Sequence, residues 1–348
     1  MKSTLDEYLI KIDNLINYID QTQHLYEVVK ENRDSKISSE FVKFHTDLNK
    51  RTYDYNLVII TLYGIWEGFV EQIVAEYLSE LNDCVNEYKN LPEAIKENHV
   101  GMSADLLKYT NILSKYEHIL INEVIANLNS CLNGKEKYKI NVDAFTYHST
   151  NFRKDAIRDF FKNIGVFNIT NTITKSKAMV NFFTEYDGEL LSNMKKYQEN
   201  NYYEYLEDLV ERRNQIAHGS DIDELLSLDI LINYSQYVKA LIISIYEIIE
   251  YELFKNKFHN TEKVELGKPI KVIDSSIICI NNKHLNIKTN DYIYGYNMDS
   301  KELRFGQVLS IQINNEAVNE TSIECDEAVG LKVNFSAKDK YTYFYLYS

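Results

Sequence analysis

"YYEYLEDLVERRNQIAHG", residues 202–219, combines an apolar helical stripe with charge at its centre. Stepping about 100° per residue from Leu206 gathers Leu209, Val210, Ile216 and Ala217 on one helix face. Arg213 falls in the middle of that face. A guanidinium does not lose its proton, so in an apolar seam it must meet an anion or several acceptors. Asn214 and His218 stand four apart and flank the stripe, and Gly219 suits the left-handed residue just beyond a helix end. The stretch predicts a polar cluster at a helix terminus, where a buried face opens to solvent.

Outward from this stretch the chain reads as helical. Residues 4–33 form one helix by the spacing of Leu5, Leu9, Ile12, Ile16 and Ile19. A second long helix is predicted over about 39–82, centred on "LVIITLYGIWEGFVEQIVAEYL". There Gly64 and Gly68 share a face and would let another helix approach. Glu67, between them, is read either as packing surface or as a partner for a buried cation. Residues 104–132 and 176–200 also look helical. The intervening stretch, 151–177, holds six basic and two acidic side chains, among them Arg153, Lys154, Arg158 and Lys162. It reads equally as a solvated helix face or as an RNA-contacting patch.

The pattern changes near residue 260. Only two prolines occur, and Pro269 falls at this change. A linker is placed at 256–269. Beyond it come short segments rich in Val, Ile and Tyr, with turns at Asn281-Asn282, Asn290-Asp291 and Asp299-Ser300. The expected fold class is mainly α: a helical domain over 1–259 followed by a small antiparallel β-barrel over 260–348.

Composition narrows the function classes. The net charge of −14 argues against indiscriminate nucleic-acid binding, so any such contact must be local. No uninterrupted apolar run reaches the roughly 18 residues of a membrane span, and the N-terminus lacks a signal-peptide core. A cytoplasmic protein without a membrane partner is expected. Cys84, Cys131, Cys279 and Cys325 show no CxxC spacing, and no Asp/Glu/His pattern has metal-ligand spacing, so neither a metal nor a cofactor is expected.

Arginine, asparagine and histidine suffice for one chemistry. RNA carries its own nucleophile, the 2′-hydroxyl. Cleavage requires removing that proton, protonating the leaving 5′-oxygen and stabilising charge on phosphorus. Histidine, with a pKa of about 6.5, suits proton transfer near neutrality, and the guanidinium fork matches phosphate oxygens. The spacing alone also admits a structural reading, in which the arginine pairs with a buried glutamate and the histidine caps the helix.

"RRNQIAHG" resembles the signature of the HEPN superfamily: an arginine, a polar residue, then a histidine after four to six intervening positions. Arg213, Asn214 and His218 fit it, and Arg212 fits at the longer spacing. "LYGIWEGFVEQIVAEYL" and "TNFRKDAIRDFFKNIGV" resemble segments of a long HEPN-like nuclease branch, and the likeness covers most of 40–256. The resemblance implies an all-helical, metal-independent endoribonuclease of bacterial antiphage or toxin–antitoxin systems. It also implies a homodimer whose two motifs line one cleft, here along the Leu206–Arg213–Ala217 face. Arg213, Asn214 and His218 would be catalytic, with Arg212, Arg153, Lys154 and Arg158 holding substrate. One toxin variant of the superfamily carries a tyrosine two residues after the histidine, a target for a partner nucleotidyltransferase. Ser220 stands there instead, so control by such an antitoxin fits poorly.

"LNIKTNDYIYGYN" and "FGQVLSIQINNEAVNETSIECDEAVGLKV", within 285–333, resemble the β-barrel that follows the GTPase domain of translation elongation factors; the likeness spans roughly 270–345 and implies RNA, including tRNA, or a protein of that machinery as partner. No GxxxxGK[ST] loop is present, so the chain is not read as a GTPase. The alternative to an enzyme is a catalytically silent HEPN scaffold that binds RNA or a partner protein.

Overall fold

Apolar periodicity over the first thirty residues yields α1 (Lys2–Glu31), which buries Leu5, Tyr8, Ile12, Leu15 and Ile19. The computed structural model describes residues 1–31, 36–47, 49–110, 112, 116–134, 137–186, 199–219, 224–281, 285–314, 316–321 and 328–346. The helix expected over 39–82 is two helices, α2 (Lys36–Asp47) and α3 (Lys50–Cys84). Asn49, between them, has φ 46°, in the left-handed region that asparagine tolerates. Its carbonyl accepts the Thr52 N–H at 3.0 Å and so opens α3.

α3 is the central helix of its unit. Tyr55, Val58, Ile59, Leu62, Tyr63, Trp66, Phe69, Val70, Ile73 and Tyr77 are all buried. By length and composition it could cross a membrane, which the sequence reading did not anticipate, yet more than half of its most apolar window is buried inside the fold. It reads as a core helix. Of its two glycines only Gly68 admits a neighbour: a Cβ there would lie 2.9 Å from the Tyr8 hydroxyl of α1. Gly64 faces open space, so the expected two-glycine groove is not formed.

The helix expected over 104–132 is likewise divided, into α4 (Glu93–Tyr109), which starts directly after Pro92, and α5 (Ile121–Leu132). At the break the Thr110 hydroxyl donates to the Leu107 carbonyl, a local bond that competes with helix continuation. After α6 (Val142–Thr146), the basic stretch forms α7 (Lys154–Lys162) and α8 (Ile169–Thr174), separated by Gly165 and Asn168, both at positive φ. Of the helix expected over 176–200, α9 (Lys177–Tyr186) is present, and 187–198 lie outside the described residues. α10 (Glu204–Ala217) and α11 (Leu228–Asn260) complete the helices.

Compact packing divides the chain into two units, residues 1–83 with 87–252, and 84–86 with 253–348. The division falls within α11. The linker expected at 256–269 is absent: α11 continues to Asn260 and β1 (Lys263–Gly267) begins almost at once.

The second unit carries β1, β2 (Lys271–Ile273), β3 (Ile277–Asn281), β4 (Tyr292–Asn297), β5 (Glu302–Ile313), β6 (Glu316–Val318), β7 (Ala328–Val333) and β8 (Thr342–Leu346). All pairings are antiparallel, in the order β1-β8-β4-β5-β7-β3-β2, with β6 on β5. Leu266 of β1 and Ile278 of β3, near opposite ends of this order, share one core with Ile293, Val308, Leu331 and Tyr343. A sheet whose distant strands share a core must curl, which is barrel-like packing. Alternation places Tyr294, Leu303 and Phe344 on the other face, against Phe258 and Phe254 of α11. The Asp299-Ser300 turn is formed, with both N–H groups donating to the Asn297 side-chain oxygen. Asn290 lies at a positive φ of 73°, and Asn282 is outside the described residues.

Candidate active site

α10 is anchored by its first half. Glu204 and Glu207 lie in its first turn, where carboxylates complement the helix dipole, and Leu206, Leu209 and Val210 are buried. Beyond Val210 the burial runs out. Arg213, Asn214 and Ile216 are half-buried, while Ala217, His218 and Gly219 are exposed. Of the face expected to meet a partner, Leu206 is packed in the core of its own chain, while Ala217 at the other end is exposed. The helix ends as expected, with His218 as C-cap and Gly219 at φ +66°. The His218 N–H donates to the Asn214 carbonyl at 3.0 Å, and that of Gly219 to Ile216 at 3.1 Å.

The two adjacent arginines have different environments. Arg212 donates to Asp208, to the Tyr55 hydroxyl at 2.9 Å and to the Glu224 carbonyl at 3.2 Å. Burial disfavours its charge, but the bonds to Tyr55 and Asp208 outweigh that, and its pKa is raised. Tyr234 also donates to Asp208, so this arginine belongs to a structural network. Arg213 makes no ion pair among the described residues. Its guanidinium carbon lies 5.0 Å from the centroid of the Tyr63 ring, and one N–H donates to the Asn214 side-chain oxygen at 3.2 Å. A guanidinium has five N–H donors, so most remain for an incoming anion.

A second segment meets the motif from the connection between α6 and α7. Asn151 donates to the Asn214 side-chain oxygen at 2.8 Å. The Tyr63 hydroxyl lies 3.2 Å from the Asn151 side-chain oxygen and 2.9 Å from Glu67, and accepts the Phe152 N–H at 3.2 Å. Burial, reinforced by the charge of Glu67, raises the Tyr63 pKa and keeps this hydroxyl protonated. Glu67 thus reaches the cation through Tyr63. Trp66 fixes the same connection by donating to the Phe152 carbonyl at 3.1 Å.

His148 holds this connection to α3. One ring nitrogen lies 2.7 Å from Glu71 and the other 2.9 Å from the Thr150 carbonyl. Both partners are acceptors, an arrangement that favours a proton on each nitrogen. Burial alone would lower its pKa. The bonds to Glu71 and Thr150, with the charges of Glu71 and Glu67, outweigh burial and raise it.

Of the basic residues of 151–177, Arg153, Lys154 and Arg158 are engaged in ion pairs within the chain, while Lys162, Lys175 and Lys177 are exposed. Arg153 pairs with Glu207 at 2.8 Å and Glu211 at 3.1 Å, tying α7 to α10. Lys154 pairs with Glu199 at 3.2 Å. Arg158 pairs with Asp155 and Asp159 on its own helix. The structure therefore brings Arg213, Asn214 and His218 to one helix end. It places Arg212 and Arg153 in ion pairs on either side, and Arg158 on an exposed helix face. Among the described residues no three His, Cys, Asp or Glu side chains form a metal-ligand group. Ser220 lies outside the described residues.

Tyr63, Asn151, His148 and Glu71 did not stand out in the sequence. Only the i, i+4 spacing of Tyr63, Glu67 and Glu71 on α3 could have pointed to them. As a unit, the site offers a stacked guanidinium, an oriented amide and an exposed imidazole, the donor set for an anion that also needs proton transfer. Comparison with curated proteins finds no match. The family model described as RiboL-PSP-HEPN matches residues 13–251, more than half of the chain and the whole of this site, and the protein belongs to that family.

Proposed function

We propose that the protein is an endoribonuclease that uses the RNA 2′-hydroxyl as nucleophile and needs no metal. The observation that carries this reading is Arg213, a stacked cation with no carboxylate partner among the described residues, about one turn from the exposed imidazole of His218. In this reading Arg213 and the Asn214 amide hold the phosphate oxygens, and His218 moves a proton. A single chain supplies one such histidine, whereas the reaction needs an acid and a base on opposite sides of phosphorus. The proposed unit is therefore a homodimer with a shared cleft. Tyr53, Leu57 and Ile60 support it: spaced four and three apart on α3, they are 69%, 50% and 41% exposed. They form an apolar stripe on the helix that carries Tyr63. The β unit would select RNA, and the role would be cytoplasmic antiphage defence or cell suicide, alone or with an antitoxin partner.

The test is RNA cleavage by purified protein in EDTA, with analysis of product ends. The wild type should leave 2′,3′-cyclic phosphate and 5′-hydroxyl ends, and His218→Ala should leave none. Dimers with one His218→Ala chain should lose most activity; half the wild-type rate would mean independent sites. Strict dependence on Mg²⁺, or 5′-phosphate products, would overturn the chemistry. RNA binding without any cleavage by the wild type would favour a silent scaffold.

A further inference from the structure

The donor–acceptor chain at the end of α10 can be assigned from one fixed point. A guanidinium only donates, so the Asn214 atom facing Arg213 must be its oxygen. That same oxygen faces Asn151 at 2.8 Å, so Asn151 presents its NH₂ there. The other end of Asn151 is then its oxygen, and it faces the Tyr63 hydroxyl at 3.2 Å. Every amide in the chain has one permitted orientation. With its oxygen taken twice, Asn214 keeps an NH₂ that makes no hydrogen bond among the described residues.

We propose that Asn151 is a positioning residue for the site: it locks the Asn214 amide with NH₂ outward, as a donor to a phosphoryl oxygen. Without the Asn151 donor, only the 3.2 Å bond from Arg213 holds the Asn214 oxygen; once that guanidinium turns to a phosphate, the amide can rotate and present its carbonyl, which repels the phosphate. Tyr63 acts at the next step. Its ring lies under Arg213, and its hydroxyl, whose single proton is divided between Glu67 at 2.9 Å and the Asn151 oxygen at 3.2 Å, adds a weaker restraint on Asn151. Asn151 comes from a different segment than the motif, so a nuclease in this fold needs 148–152 held on α3 as well as α10.

The turnover part of this inference rests on the nuclease reading, and the orientation part does not. Asn151→Asp keeps the size but removes the donor, and Tyr63→Phe keeps the ring but removes the hydroxyl. Circular dichroism should show both variants folded. Asn151→Asp should lower kcat by roughly tenfold to a hundredfold, the scale of a misplaced group at a reacting centre. Binding of a short all-2′-deoxy oligonucleotide, which lacks the nucleophile, should change far less. Tyr63→Phe should fall between wild type and Asn151→Asp. Selective ¹⁵N-asparagine labelling, with Asn214→Ala identifying the signal, should show the Asn214 side-chain amide shifted in Asn151→Asp. Unchanged turnover in both variants with an unmoved Asn214 signal would overturn the proposal. If the wild type cleaves no RNA, the nuclease reading fails by itself, and the Asn214 signal still decides the orientation.

Discussion

Two consecutive arginines show how local partners decide what a residue is for. Arg212 has a carboxylate, a phenol and a carbonyl, and removing it leaves Asp208 and Tyr55 short of a partner. Arg212→Ala is expected to cost about 1–3 kcal/mol of stability, the scale of a half-buried polar group left unsatisfied. Arg213 has a ring face and one amide oxygen, so Arg213→Ala should cost only about 0.5–1 kcal/mol while abolishing cleavage. Denaturant unfolding alongside an RNA assay checks both, and equal stability losses would remove the distinction. A third residue sets acid stability. His99 is fully buried, accepts the Asn141 N–H at 2.9 Å, and burial pushes its pKa down to about 4. The unfolded chain binds this proton near pH 6.5, so folding loses stability as pH falls from 6.5 to 4, by about 3 kcal/mol in all. His99→Gln should remove that slope from a plot of unfolding free energy against pH.

Among the elements, the connection between α6 and α7 matters more than its irregular backbone suggests. It is held on α3 by the His148–Glu71 pair and by the bond from Trp66 to Phe152. The raised pKa of His148 gives stability that is present below the unfolded value of about 6.5 and is lost as pH rises through the folded value. Hydrogen exchange of the 150–153 amides should therefore speed up with pH beyond its intrinsic rise, and Glu71→Gln should remove the excess. An exchange profile identical in the two proteins would mean that the His148–Glu71 pair does not hold the segment. The sequence revealed much of this architecture and missed the rest for physical reasons. The end of α10 was legible because Gly219 and the loss of apolar period are local signals. The breaks at Asn49 and Thr110 were not, because apolar residues continue on both sides and each turn rests on one residue, a left-handed asparagine in one case and a hydroxyl bond in the other. Arg213 and His218 stood out as polar residues on or beside an apolar stripe. Asn151 and His148 could not, since their roles depend on which helix their loop reaches. The basic stretch read equally as a substrate patch, because its acidic partners Glu199, Glu207 and Glu211 lie about 40 to 60 positions away.

For the whole molecule, the decisive fact is where one unit stops. A helix that continues to Asn260 invites truncation there, on the expectation that a linker separates two cores. The last two turns of α11 belong instead to the β unit, where Phe258 packs with Tyr294, Leu303 and Phe344, and Phe254 lies against Tyr292 and Phe305. A fully buried phenylalanine such as Phe258 contributes about 1.5–3 kcal/mol by leaving water, and the partly buried Phe254 contributes less. A chain ending at Asn260 would return Phe254 and Phe258 to solvent, one turn apart on a bare helix. A chain ending at Glu252 removes both and keeps only Cys84–Asn86 of the β unit, of which Val85 is buried. The 1–252 chain should therefore fold as a helical protein of defined size, whereas 1–260 should self-associate, measured by light scattering at matched concentrations. If the β unit selects RNA and does no chemistry, 1–252 should still cut a short RNA, with a cleavage map of cellular RNA broader than that of the full chain. Identical maps would make the β unit a stabilising appendage. A folded 1–252 dimer that cuts nothing would place part of the catalytic apparatus beyond residue 252.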